Sequence, residues 1–321
     1  MRSQRLRDGA PSQHASAYLA AHPRQARAPR TLITAQLLLN ALALGMAYAL
    51  VALGFVLALN AAGAVNFAHG DLVVLGGAAA VVAGLWTGLP GLLLLPLVAL
   101  VLAAVGILAA RIAILPLATR PPEATFVATI ALAAMIEQGL TVTMGSAPHT
   151  APPLLGAGAF EIAGIALGRQ PVAIVVVGTV LVGALWFLLE RTQVGRRMRA
   201  VASDRHMARA VGIPVARYVV LSLALAGTLA GIAGLLLGHQ FLVAPTQGAG
   251  HMLKAYIAVA IGGWGSVLGA LLGALGIGFF ETFVSATVGD AWASAALYVA
   301  VLAILILRPQ GLFGEPAGRR A

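Results

Sequence analysis

From Leu32 onward the chain is a succession of apolar runs separated by short polar breaks. Gly91 to Ala110, Ala124 to Met144, Pro171 to Leu189, Val219 to Leu237 and Ala291 to Leu307 are each nearly continuous hydrocarbon. Stretches of that length cross a bilayer core of about 30 Å as helices. Two longer apolar regions are interrupted. Leu32 to Trp86 contains Asn40, Asn60, Asn66, His69, Asp71 and several glycines, and Met252 to Ala286 is split by Gly262-Gly263-Trp264-Gly265-Ser266. The alternating pattern of a membrane β-barrel is absent. The pattern predicts an all-α, polytopic transmembrane bundle of eight to ten spans, some of them broken at glycines.

The polar stretches set the expected topology. Residues 1–31 carry six arginines and no apolar run, and read as a disordered basic cytoplasmic tail rather than a signal peptide. The segment 191–217 carries seven arginines against Glu190 and Asp204. Arg111 and Arg120 flank another short break, and Arg308, Arg319 and Arg320 follow the last span. Short arginine-rich loops stay in the cytoplasm, so all four regions are expected on one side, with 145–170 outside. An even number of passes must then lie on each side of the 191–217 loop. Three passes within Leu32–Trp86 and two within Met252–Ala286 give six and four. If the short passes are re-entrant, the total is eight. The membrane domain covers residues 32–314, and 315–321 form a cytoplasmic C-terminal tail.

Within the arginine loop, Ala200 to Val211 has no Gly or Pro and favours a helix, which Gly212 and Pro214 then stop. A helix there is either a docking device on the cytoplasmic face or part of a solvated topogenic loop.

Composition narrows the function. Of 321 residues 60% are hydrophobic and 9% are charged. The net charge of +10 sits mostly in the tail and the arginine loop, which suits orientation and anionic membrane lipid rather than nucleic acid. There is no cysteine, hence no disulfide or thiolate metal site. The only lysine, Lys254, lies in an apolar run, and no phosphate-binding Gly-rich loop accompanies it, so the chain is not read as an ATP hydrolase. No metal or cofactor motif occurs, and no enzyme activity is expected.

The candidate functional residues are polar groups at membrane depth. Asn66, His69 and Asp71 fall within six residues of one another, and Glu137 and Gln138 lie mid-span. Buried groups of this kind face a cavity or one another. They are either pathway-lining or a structural hydrogen-bond knot, with Asp71 also able to cap the helix beginning at Leu72. Lys254 reads as snorkelling to the interface. Gly262, Gly263 and Gly265 read as close helix packing in preference to ligand contact.

Three blocks together resemble one family. They are Gly45-Met46-Ala47-Tyr48 running on to Asn66-Phe67-Ala68-His69-Gly70-Asp71, then Arg191-Thr192 through Asp204 to Gly212-Ile213, then Lys254-Ala255-Tyr256 through Gly262–Ser266 to Arg308-Pro309-Gln310-Gly311. In this order, from about Leu37 to Gly314, they are similar to the inner-membrane permease subunits of branched-chain amino acid ABC importers of the Leu/Ile/Val high-affinity type. Urea and short-amide importers share the family. The resemblance implies half of a translocation pathway, with Asn66 and His69 along it and Phe67, Gly70, Asp71, Gly262, Gly263 and Gly265 supporting it; Glu137 and Gln138, from their mid-span position, either line that pathway or pair between helices. It implies coupling to separate ATPases through Arg199, Asp204, Arg205, Ala208 and Gly212. His206-Met207 replaces the acidic residue common in such coupling helices. The implied partners are two ATPase subunits, a second homologous permease and an external substrate-binding protein. The implied place is a bacterial inner membrane, with both termini cytoplasmic. A stand-alone secondary transporter is the alternative from another class.

Overall fold

The computed structural model describes residues 30–308 apart from 157, 163 and 164. The basic tail and the C-terminal tail lie outside the described residues. Among those described, eleven α-helices and one hairpin follow in order, with a π-helical turn (Ala110–Ile114) and a 3-10 turn (Pro245–Gln247) between them: α1 (Arg30–Ala62), α2 (His69–Thr87), α3 (Gly91–Ala109), α4 (Pro122–Met144), β1 (Ala159–Ile162), β2 (Ile165–Gly168), α5 (Arg169–Arg191), α6 (Gln193–Ser203), α7 (Arg205–Ala210), α8 (Val215–Gln240), α9 (Gly248–Gly262), α10 (Val267–Val288) and α11 (Asp290–Leu307). Eight of these helices, all but α6, α7 and α9, are long and apolar enough to cross a membrane.

The core is built on α1. Every residue from Ala43 to Ala58 is buried, and α10, α8 and α5 pack around it. Small side chains make this possible, because without a hydrophobic drive between helices in lipid, close backbone approach supplies the attraction. A Cβ added to Gly278 would fall 2.3 Å from the Gly45 nitrogen, and one added to Gly234 in α8 would fall 1.9 Å from the Val73 carbonyl oxygen in α2. The outer helices α3, α4, α5 and α11 present rows of exposed Leu, Val, Ile and aromatic side chains, as lipid-facing helices do.

Contacts sort the connections between the two ends of the bundle. At one end Arg205 of α7 donates to the Ala61 carbonyl at the close of α1, and Asn60 Nδ2 donates to Gly265 O at 3.2 Å. The 115–121 connection and the end of α11 lie at this end too, since α3 runs antiparallel to α8 and α11 to α10. At the other end Ala151 donates to Gly238 O, Gly91 donates to Pro153 O, and β2 rests on α1.

Only five helices pass between the start of α1 and the arginine loop. The start of α1 therefore lies at the far end, beside the hairpin, and not on the arginine-loop side as the charge pattern led one to expect. The 32–86 region makes two passes rather than three. Its second pass is broken: residues 63–68 rise non-helically from the arginine end before α2 begins. After the loop come α8, the segment 241–247 with the short helix α9, then α10 and α11. That returns the end of α11 to the arginine-loop end of the bundle. The expected single helix Ala200–Val211 is two helices. Asp204 takes an extended conformation (φ −154°, ψ 113°) and its carboxylate caps the next helix.

Candidate functional site

The two broken passes meet inside the bundle. Gly63 (φ +64°) closes α1, and the chain turns back along it. His69 Nε2 lies 2.9 Å from the Val51 carbonyl, eleven residues before Ala62, or about 16 Å along the helix axis. The start of α2 is thus near half the depth of a ~30 Å hydrocarbon layer. On the opposite strand of this joint, α9 begins. An added Cβ on Gly70 would meet Gly248 O at 2.0 Å, and one on Gly248 would meet Asp71 Oδ1 at 2.0 Å. Only glycine at both positions lets the two helix starts come this close.

The polar residues of this joint divide into two groups. Asn66, 3% exposed, turns its Oδ1 back to accept from the Ala68 N–H at 3.2 Å. Phe67 N–H donates to Thr129 Oγ1 of α4 at 3.2 Å. His69 is wholly buried against Phe55, its Nε2 bonded to the carbonyl and its Nδ1 without a partner in the structure. Gly54 makes room for the ring, since a Cβ there would fall 2.9 Å from His69 Cε1. These residues hold backbone. Phe67, in the non-helical segment, and Asp71, in the first turn of α2, look the other way, into a cavity of about 630 Å³ that Ile130, Glu137, Met252 and Tyr256 also line. Asn66 and His69, expected along the pathway, do not line this cavity. Gln138 is exposed on the outer face of α4, while Glu137 faces in. Gly262, Gly263 (φ +96°) and Gly265 (φ +78°) form the turn between α9 and α10 at the arginine end, away from the cavity.

The arginine loop is held by its own network. Thr192 Oγ1 accepts from Gly195 N–H at 3.1 Å and caps α6. Arg199 pairs with Glu190 at 2.8 Å and donates to the Leu189 carbonyl. Asp204 Oδ1 accepts from the N–H groups of Met207 at 3.0 Å and His206 at 2.7 Å, and these bonds hold its carboxyl below the usual range. Partial burial against α1 lowers the Arg205 pKa. Ala208 is buried, and Gly212 (φ +79°) ends α7, with Ile213 N–H bonding back to Ala208 O. A second cavity of about 680 Å³, mostly apolar but also lined by Asn60, Glu190 and Arg199, lies beside this network between α1, α5, α6, α8 and α10.

One buried cluster escaped the sequence reading. Lys254 does not snorkel outward. Its Nζ lies 2.9 Å from Glu281 Oε1 and donates to Tyr48 Oη at 2.6 Å, while Tyr48 donates to Glu281 Oε2 at 2.8 Å. The cluster ties α9 to α10 and α1. Its members are far apart in sequence, and the only hint was two opposite charges in neighbouring apolar runs. Among the described residues no group of His, Asp and Glu could hold a metal ion.

Comparison with known proteins supplies the family. The family model of the branched-chain amino acid transport system permease component matches residues 37–307. The chain is 29% identical to the high-affinity branched-chain amino acid transport system permease protein BraD of Pseudomonas aeruginosa, over 88% of this chain and 96% of that one. It is 28% identical, with the same coverage, to LivH of Escherichia coli K12, a permease protein of the same description. The fructose import permease protein FrcC of Rhizobium meliloti is 38% identical, but over 33% of this chain and 32% of its own. No solved structure matches. With nearly the whole membrane domain covered, the chain belongs to the branched-chain amino acid transport permease family, as a multi-span transport subunit and not an enzyme.

Proposed function

We propose that this chain forms half of the translocation pathway of an ABC importer for branched-chain amino acids, in a bacterial inner membrane. The observation that carries the reading is the cavity at mid-depth where two broken helices meet. Non-helical backbone at that depth is tolerated where it is buried in protein or lines a transport cavity. Phe67, Ile130, Met252 and Tyr256 offer the apolar wall that a branched aliphatic side chain needs. Asn66, His69 and Gly70 support the wall from behind, and Gly262, Gly263 and Gly265 hold the α9–α10 turn. An amino-acid cargo is also what the names of relatives spanning 88% of the chain suggest, whereas the sugar importer matches only a third of it. A second homologous permease would complete the pathway.

The chain has no phosphate-binding loop of its own, so the motor is two separate ATPase subunits, with an external binding protein delivering cargo. The helices α6 and α7 are the docking surface for the ATPases. Arg205, bonded to the end of α1, passes their motion to the central helix. Asp204, Ala208 and Gly212 fix the shape of α7, and Arg199 fixes α6 to the end of α5. The arginine end, with the exit of α11, is cytoplasmic, and the start of α1 is external.

The test is uptake of leucine by vesicles holding the permeases, the ATPases and the binding protein. Uptake should require ATP and the binding protein. With no native cysteine, Ala134→Cys on the cavity wall can be modified selectively, and a bulky thiol reagent should block uptake. Uptake by the permease alone without ATP would point instead to a secondary transporter. Unchanged uptake after complete modification would place the pathway elsewhere.

A further inference from the structure

The cavity at the helix joint carries a charge imbalance. Two of its lining side chains, Asp71 and Glu137, are carboxylates, and no lining residue is basic. The nearest lysine in sequence, Lys254, is spent on Glu281 and Tyr48. Asp71 is 6% exposed, so water compensates it poorly. The hydrogen bond to its carboxyl comes from its own backbone N–H, and Glu137, the charged group acting on it, has the same sign. The other polar side chains of the joint are bonded to backbone, Asn66 to Ala68, Thr129 to Phe67 and Phe126, and His69 through Nε2 to Val51, with His69 Nδ1 left without a partner. A buried carboxylate beside a second one, facing open space, lacks a cation.

We propose that Asp71 and Glu137 form a recognition site in the permease itself for the primary ammonium group of the transported amino acid. The inference rests on reading the cavity as the pathway. It assigns the permease a selectivity of its own, for ammonium-bearing over ammonium-free cargo, whatever the binding protein delivers. An ammonium donates three hydrogen bonds and accepts none, which two carboxylates can take without a competing donor. The ring of Tyr256 on the same wall offers a further attraction to a cation, and the apolar wall takes the aliphatic side chain. The two carboxylates also repel an incoming anion, so a 2-oxo acid of the same carbon skeleton is disfavoured twice.

The experiment uses the assembled importer carrying Ala134→Cys. The probes are leucine and 4-methyl-2-oxopentanoate, which differ in the ammonium. Leucine at high concentration should slow thiol modification at position 134, and the oxo acid should not. In the Asp71→Asn plus Glu137→Gln background, which keeps side-chain shape, the protection by leucine should vanish while the modification rate without ligand stays the same. Leucine uptake there should fall about tenfold or more, the loss of one good charged contact. Restoring Glu137 alone should recover part of both. Protection by leucine that is unchanged in the doubly substituted importer, or equal protection by the oxo acid, would overturn the inference and leave the pathway reading standing. Modification that fails to block uptake would overturn the pathway reading and the inference with it.

Discussion

Lys254→Met is the sharpest test of how the broken helix α9 is held. The substitution keeps an apolar stem of similar length and removes the cation. Glu281 is then left 6% exposed with the Tyr48 hydroxyl as its only named partner. Both its oxygens lose an ammonium, at 2.9 Å and 3.1 Å, and Tyr48 loses the donor at 2.6 Å. Removing one partner of a buried pair costs about 3–5 kcal/mol. Removing both, in Lys254→Met plus Glu281→Met, should restore stability to within about 1 kcal/mol of the parent, because the desolvation penalty goes with the charges. Tyr48→Phe, which removes a hydrogen bond to a charged group, should cost about 1.5–3 kcal/mol. The assay is reversible unfolding in mixed micelles with increasing dodecyl sulfate, read by tryptophan fluorescence. With Glu281→Met alone added, the two single variants and the double one form a double-mutant cycle with a coupling of at least ~2 kcal/mol. If Lys254→Met alone stays within about 1 kcal/mol of the parent, the lysine is solvated at the interface and the buried network does not hold α9.

Other expectations follow from the same packing. Gly234→Ala should abolish most folded protein, since the new Cβ would lie 1.9 Å from the Val73 carbonyl and 2.7 Å from the Gly77 nitrogen, both backbone atoms that cannot move aside. Gly276→Ala, which meets open space, should be neutral or stabilise by up to about 1 kcal/mol; yield of monodisperse protein distinguishes the two. Cysteines placed at Gln36 and at Ser203 should react with an impermeant thiol reagent from opposite sides of the membrane, and labelling from one side would refute five passes between them. The Asp204 carboxyl titrates lower in the folded protein than unfolded, so its cap is at full strength above pH about 4 and is lost as the pH falls through the lower, folded value. Asp204→Asn should keep the α7 cap at all pH values and Asp204→Ala should lose it, read as ATPase stimulation by loaded binding protein.

The spans were legible in the sequence because an apolar length is a local property: α3, α4, α5, α8 and α11 fall within a few residues of their expected runs. The side of the membrane assigned to the start of α1 was not legible from charge. Parity arithmetic asked for three passes between Leu32 and Trp86, but α1 alone consumes 33 residues, and a pass that is half non-helical leaves room for only one more. The break at Asp204 was hidden because Ala200 to Val211 lacks Gly and Pro. A well-placed aspartate interrupts a helix by offering its own side chain to the next N–H groups. The pairing of Lys254 with Glu281 depends on α9 and α10 folding back at Gly263, which no spacing rule reveals. The division within the Asn66–Asp71 motif could have been reasoned out given one further fact, the start of α2. His69 and Asp71 stand two positions apart at the start of α2, about 200° around its axis, so they point to opposite sides.

A broken pass must hide or satisfy every backbone group it frees, because hydrocarbon offers no partner. The chain does this almost entirely with itself. Val243 and His149 exchange two backbone hydrogen bonds, at 2.9 Å and 2.7 Å. Ala244 N–H goes to Gln247 Oε1, Ala68 N–H to Asn66 Oδ1 and Phe67 N–H to Thr129 Oγ1. The conspicuous polar residues Asn66, Thr129 and Gln247 are therefore explained by the backbone they serve, and a ligand is not needed to account for them. His69 is explained the same way through Val51. The carboxylates on the cavity wall are not. Glu137 satisfies no freed backbone group of either broken pass, Asp71 accepts only from its own backbone N–H, and a carboxylate has no donor to give to the carbonyls nearby. Replacing Asp71 by asparagine or leucine would lower the cost of burying it, so a purely structural joint has no use for the charge. That asymmetry separates the residues that build the joint from those left to meet whatever moves through it.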